Sequence, residues 1–122
     1  MKYFKSSKKF QRKKPNGEYY TYSEGAIAFP DHLDVPARTM LTSESTTNRS
    51  SHIIGVDEDN DIYRTLTPVE AERIQMFPDN WTNVESKAMT ERRRYFMMGN
   101  ALVVGIVQKL GKYLETVVEQ ED

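Results

Sequence analysis

The sequence predicts a small α+β fold: short strands and loops, then two short helices and a long C-terminal amphipathic helix. Three observations carry that prediction. Turn-forming residues cut the first half into pieces too short for anything but strands and loops, two capping signatures start helices in the second half, and the closing stretch repeats apolar side chains at helical spacing. At 122 residues with 38% hydrophobic content, the chain holds at most one compact domain with a thin core. An apolar face left over has to pack on a partner.

Residues 1–37 form a first unit of basic arm and loops. Pro15-Asn16-Gly17 is a turn signal, and Pro30, Asp31 and Pro36 interrupt any long element. Seven cations, Lys2, Lys5, Lys8, Lys9, Arg12, Lys13 and Lys14, precede the first acid, Glu18, so a net charge of −1 conceals a basic start and an acidic remainder. With Tyr3, Phe4 and Phe10 between the cations, this arm suits a phosphate backbone, while a solvated, frayed terminus is the plainer alternative. Lys8, Lys9, Lys13 and Lys14 are its candidate phosphate contacts.

The second unit, 38–81, opens with residues 39–42 readable as a strand and a polar loop over 43–51. Apolar stretches 52–56 and 61–64 flank the turn residues 57–60 as a hairpin would. Thr67, Pro68 and Glu70 make a capping box, which predicts a helix over 68–76. It ends there because Phe77 precedes a proline. Val69, Ile74, Met76 and Phe77 read as core residues, and Trp81 as a packing residue.

In the third unit, 82–122, Thr90 with Glu91 starts a helix that stops at Gly99, and Asn100 reads as N-cap of the last helix. Leu102, Val103, Ile106, Val107, Leu110, Tyr113, Leu114 and Val117 then give one apolar face. Such a face predicts docking on a partner, and self-association of the chain without one.

The sequence contains no cysteine, which excludes disulfides, thiolate metal sites and a cysteine nucleophile on this chain. With His32 and His52 as its only histidines, no metal site is expected. The longest apolar run, 101–107, is far short of the roughly 20 residues of a bilayer span, and no charged-then-apolar leader opens the chain, so a soluble protein not secreted by signal is expected.

Three stretches read together resemble the C-terminal portion of bacterial DNA (cytosine-5) methyltransferases. They are Pro36-Ala37-Arg38-Thr39-Met40-Leu41-Thr42-Ser43-Glu44; Tyr63-Arg64-Thr65-Leu66-Thr67-Pro68-Val69-Glu70 continuing through Arg73-Ile74-Gln75-Met76-Phe77-Pro78-Asp79; and Met98-Gly99-Asn100-Ala101-Leu102-Val103-Val104. Their order and spacing match the end of the target-recognition domain followed by the family's ninth and tenth motifs. The resemblance implies a two-domain bacterial, cytoplasmic enzyme of restriction-modification. A Rossmann-like domain binds S-adenosylmethionine and carries the cysteine that attacks C6 of a flipped cytosine, and a smaller domain reads duplex DNA. This chain looks like the second part, without the catalytic core and with no catalytic residue of its own.

By the same resemblance, Arg38 and Thr39 contact DNA near the flipped nucleotide. The loop with Ser43, Thr46, Thr47, Asn48, Arg49 and His52 faces the major groove, where Arg suits guanine and Asn suits adenine. The ninth motif orders the recognition domain. Where Met76 stands the family commonly has glycine, and a positive φ there would cost methionine about 1 kcal/mol. The tenth motif completes the cofactor site, with Asn100 and Ala101 at a helix N-terminus that favours the methionine carboxylate. Met1 and the acidic end fit a separately translated subunit, and a truncated gene would look the same. Two other readings stay open: a non-catalytic DNA-binding module, and an inactive methyltransferase remnant. The DNA target sequence is not readable from the chain.

Overall fold

A computed structural model describes residues 5–85 and 88–121. Lys2, Tyr3 and Phe4 of the basic arm and Asp122 of the acidic tail lie outside the described residues. Among the described residues the architecture is α+β, with two separate two-stranded antiparallel sheets followed by three helices. The first sheet is a hairpin of β1 (Lys8–Lys13) and β2 (Tyr19–Glu24), with Lys13 opposite Tyr19 and Lys8 opposite Glu24. Its turn closes through Lys14 N–H to Glu18 O at 2.8 Å, and Gly17 takes the φ of +90° that other residues adopt at a cost. The second sheet is the hairpin predicted around 52–64. It pairs β3 (Ile53–Asp57) with β4 (Ile62–Thr65), with a register shift between Gly55 and Asp57.

Helix α1 (Pro68–Ile74) starts on the capping box: the Thr67 hydroxyl accepts from Glu70 N–H, and the Glu70 carboxylate accepts from Thr67 N–H. It stops two residues before the predicted end. Phe77 N–H bonds Glu72 O, Met76 N–H bonds Arg73 O, and Met76 sits at φ +62°. This is a Schellman closure with methionine in the position glycine usually takes. The left-handed turn leaves Met76 57% exposed instead of in the core, and Trp81, expected to pack, is 63% exposed.

Helix α2 (Glu91–Asn100) is capped by the Thr90 hydroxyl, as predicted, but does not stop at Gly99. Asn100 is its last residue and not an N-cap, with Nδ2 donating to Phe96 O. Gln75 Nε2 reaches the carbonyls of Met98 at 2.7 Å and Ala101 at 3.4 Å, so the end of α2 is satisfied from another element. Residues 101–103 are non-helical and α3 (Val104–Glu121) begins after them, tied at its root by Val104 N–H to Gln75 O. Leu102 and Val103 therefore precede the long helix. The strand expected over 39–42 is also absent. Leu41 N–H is taken by the Glu44 carboxylate, so no neighbouring strand binds it.

The core gathers Met40, Ile54, Leu66, Ala71, Tyr95 and Met98, with Ile74 and Phe77 packed against it. Gly99 lets α2 rest directly on the 41–42 backbone, because a Cβ there would run into Leu41 C and Thr42 N. Those atoms cannot turn aside as a side chain can. Gly99→Ala is therefore expected to destabilise the chain by at least about 1–3 kcal/mol, read as a lower urea midpoint.

Candidate functional site

The polar loop 43–52 is a braced structure, built from its own side chains. Asn48 Oδ1 accepts from the amides of Ser50 and Ser51, Ser51 Oγ donates to Thr46 O, and the Thr46 hydroxyl donates to Ser43 O. Beneath it Glu44, 1% exposed, accepts from the amide of His52 and from His52 Nδ1 at 3.0 Å each. Burial alone would raise the Glu44 pKa, but these bonds and the Leu41 amide hold it below the ordinary carboxylate value. His52 Nε2 is buried and has no hydrogen-bond partner among the described residues.

A second buried hub ties the loop to the preceding segment. Asp31 accepts Arg38 Nε at 2.6 Å, Arg38 Nη2 at 3.2 Å, Lys5 Nζ at 3.4 Å and the Ile53 amide at 2.7 Å. Arg38 also donates to the carbonyls of Ser50 and Ser51, and Lys5 Nζ to Ser51 O at 2.6 Å. Burial lowers the Lys5 pKa, its ammonium being desolvated.

The predicted DNA contacts therefore divide. Arg38, Asn48, Arg49 and His52 make bonds inside the chain: Arg49 donates to the carbonyls of Ser6 and Gly25, and its Nε lies 3.1 Å from Glu24 Oε2. Thr39, Ser43, Thr46 and Thr47 are exposed, although the Thr46 hydroxyl donates to Ser43 O and the Ser43 hydroxyl accepts from Asn48 Nδ2; Lys9, Lys13 and Lys14 on the first hairpin are exposed too, with Lys8 half-buried. Arg49 is the link between hairpin and loop. Sequence reasoning missed Asp31, Glu44 and Gln75 as the groups that shape this region. Acids and amides in turns carry no signal that distinguishes solvent from a buried hub.

Beside the loop runs a groove of about 1040 Å³, lined by Leu33, Val35, Met40, Ile74, Leu102, Ile106, Val107 and Leu110, with Arg64, Glu70 and Arg73 among its polar residues. The apolar face of α3 continues outward from it, with Ile106 56% and Leu110 62% exposed. Gly99 and Ala101 line the same groove, and Asn100 is exposed at the junction between them. Asn100 closes α2 and Ala101 opens the three-residue link to the N-terminus of α3, so the pair lies between a helix C-terminus and a helix N-terminus and Asn100 is not the N-cap expected there.

Arg64 meets Glu70 with two bonds of 2.7 Å. Those bonds, against the opposing pull of burial and with Thr67 adding to them, hold the Glu70 carboxyl at about 2 where 4.5 is ordinary. The contribution of ionised Glu70 to stability is thus complete above about pH 4.5 and lost as pH falls through 2. Solvent screens it, since the Glu70 side chain is 32% exposed. Glu70→Gln is expected to flatten the stability curve across that window in denaturant titrations, and an unchanged acid limb would refute the pairing.

Among the described residues no three His, Asp or Glu side chains converge to hold a metal ion, and no helix is long and apolar enough to cross a membrane. Residues 2–116 match the C-5 cytosine-specific DNA methylase family. The chain is 49% identical over 116 residues to the Type II methyltransferase M.Sau3AI of Staphylococcus aureus. That alignment covers 95% of the chain and 26% of the relative, so the chain spans about a quarter of the length of the curated protein it matches. No solved structure matches it. A family match over nearly the whole chain, with half the residues shared with a methyltransferase, means that the chain belongs to the C-5 cytosine-specific DNA methylases.

Proposed function

We propose that the chain is the C-terminal DNA-recognition and cofactor-site-completing portion of a DNA (cytosine-5) methyltransferase of a restriction-modification system, working with a Rossmann-like catalytic partner on duplex DNA. The observation that carries this reading is the apolar groove continuous with the exposed face of α3, in a family member with no cysteine to attack cytosine. A thiolate is the nucleophile that the chemistry needs, so catalysis has to come from outside the sequence. Leu102, Ile106, Val107 and Leu110 would be the surface it docks on.

DNA contact falls to the exposed Thr39, Ser43, Thr46 and Thr47 and to the lysines of the first hairpin, Lys8, Lys9, Lys13 and Lys14. Arg38, Asn48, Arg49 and His52 hold the loop in the shape that keeps those side chains at the surface. S-adenosylmethionine, when bound, supplies the methyl group from its sulfonium. Asn100 and Ala101 would border it at the α2–α3 junction, between the C-terminus of α2 and the N-terminus of α3.

The test combines this chain with the portion of M.Sau3AI that it does not match and follows labelled methyl transfer from S-adenosylmethionine to duplex DNA. Transfer by the pair and none by either part supports the reading. Sustained transfer by the pure chain, or none by the pair despite a stable complex, overturns it.

A further inference from the structure

We propose that the first hairpin is a β-ribbon that enters the major groove of duplex DNA, where Gln11 reads an adenine edge while Lys9 and Lys13 hold flanking phosphates. This deepens the DNA-recognition reading above and rests on it. A two-stranded antiparallel ribbon is one of the two protein elements that fit the major groove of B-form DNA.

The hairpin has two chemically different faces, fixed by the register that puts Phe10 opposite Tyr22 and Gln11 opposite Thr21. The even-numbered face closes on itself. Phe10 and Tyr22 have ring centroids 5.2 Å apart, and the Arg12 guanidinium lies 3.9 Å from the Tyr22 centroid and 5.2 Å from that of Phe10. That stack stiffens the ribbon. The odd-numbered face carries Lys9, Gln11 and Lys13 against Ser23, Thr21 and Tyr19, all exposed.

On that face Gln11 Nε2 donates to Thr21 Oγ1 across the strands at 2.9 Å. The bond orients the carboxamide and leaves its carbonyl oxygen and second N–H, the acceptor and donor that adenine N6 and N7 require. Lys9 and Lys13 sit two residues to either side, about 7 Å along the strand, on the same face. Both acids of the hairpin have internal partners, Glu18 with Lys14 at 3.3 Å and Glu24 with Arg49 at 3.1 Å. The outward charge is therefore cationic, complementary to the phosphates that wall a groove. Arg49 acts as a positioning residue, fixing the root of the ribbon on the braced loop.

The experiment is selection from a random-sequence duplex library by the full chain and its variants, followed by anisotropy titrations at several salt concentrations. The wild type is expected to enrich a motif containing an A·T pair for which Gln11→Ala loses preference by about 10- to 100-fold, with other positions unchanged. Replacing Lys9 and Lys13 by Ala should weaken binding to all duplexes alike and reduce the slope of log affinity against log salt by close to one per lysine. All three side chains are exposed, so circular dichroism should show an unchanged fold. Wild-type affinity, motif and salt slope in every hairpin variant would overturn the ribbon and leave DNA recognition by the rest of the chain standing. Absence of any duplex binding by the wild type would overturn both.

Discussion

Replacing Glu72 by alanine should lower the unfolding free energy by about 3–5 kcal/mol, a large part of the roughly 5–15 kcal/mol that a domain commonly has. The side chain is fully buried and accepts from a cluster of donors: Asn80 N–H at 2.7 Å, Thr82 N–H at 2.9 Å, the Thr82 hydroxyl, and Arg94 Nη2 at 3.0 Å, while Arg94 Nε donates to Thr82 Oγ1 at 3.0 Å. Burial by itself would raise its pKa, and the bonds from Thr82, Arg94 and Asn80 reverse that and keep it ionised. Truncation leaves the Arg94 side chain, 11% exposed, without its counter-charge, and two amides without an acceptor. Replacing Glu72 and Arg94 together by Met should recover part of the loss, because no orphan charge remains. Guanidinium denaturation of the three proteins measures this, and a loss below about 1 kcal/mol for Glu72→Ala would mean that Arg94 and α1 are not joined in solution.

The second large effect is on assembly. Ile106→Asp should leave the isolated chain within about 0.5 kcal/mol of wild type, since the side chain is 56% exposed. The same substitution should abolish the complex with the catalytic portion, and methylation with it, because a carboxylate without a partner would then be desolvated. It should also reduce self-association of the free chain, where burying a leucine-sized side chain yields roughly 1.5–3 kcal/mol. Gel filtration, thermal unfolding and methyl transfer on the same preparations separate these effects. Full activity in Ile106→Asp would remove the face of α3 from the docking surface.

What the sequence revealed was chemistry that acts over a few residues. Thr67, Pro68 and Glu70 start α1 whatever surrounds them, and the turn residues between Val56 and Ile62 close β3 on β4 in the same way. Met76 belongs here too, because the glycine usual at that position pointed to the positive φ that it adopts. The break at 101–103 was illegible for the opposite reason. Leu102 and Val103 continue the helical period without interruption, and what caps α2 is Gln75, up to 26 residues away. The site was partly legible on the same terms. An arginine that reads guanine and one that binds a carboxylate are the same residue, and only the folded chain places Asp31 beside Arg38 and Glu24 beside Arg49.

The three non-helical residues between α2 and α3 make the long helix a lever. Gln75 grips both sides of that pivot, its side-chain Nε2 donating to the end of α2 and its main-chain carbonyl accepting from the first amide of α3. An 18-residue helix is about 27 Å long, so a rotation of roughly 10° at the pivot swings its tip by about 5 Å. Accuracy at the far end of α3 is thus set at one residue at its fulcrum, whose side chain holds α2 and whose main-chain carbonyl holds α3, and small changes near Gln75 are magnified along the lever into misalignment at Leu114 and Val118.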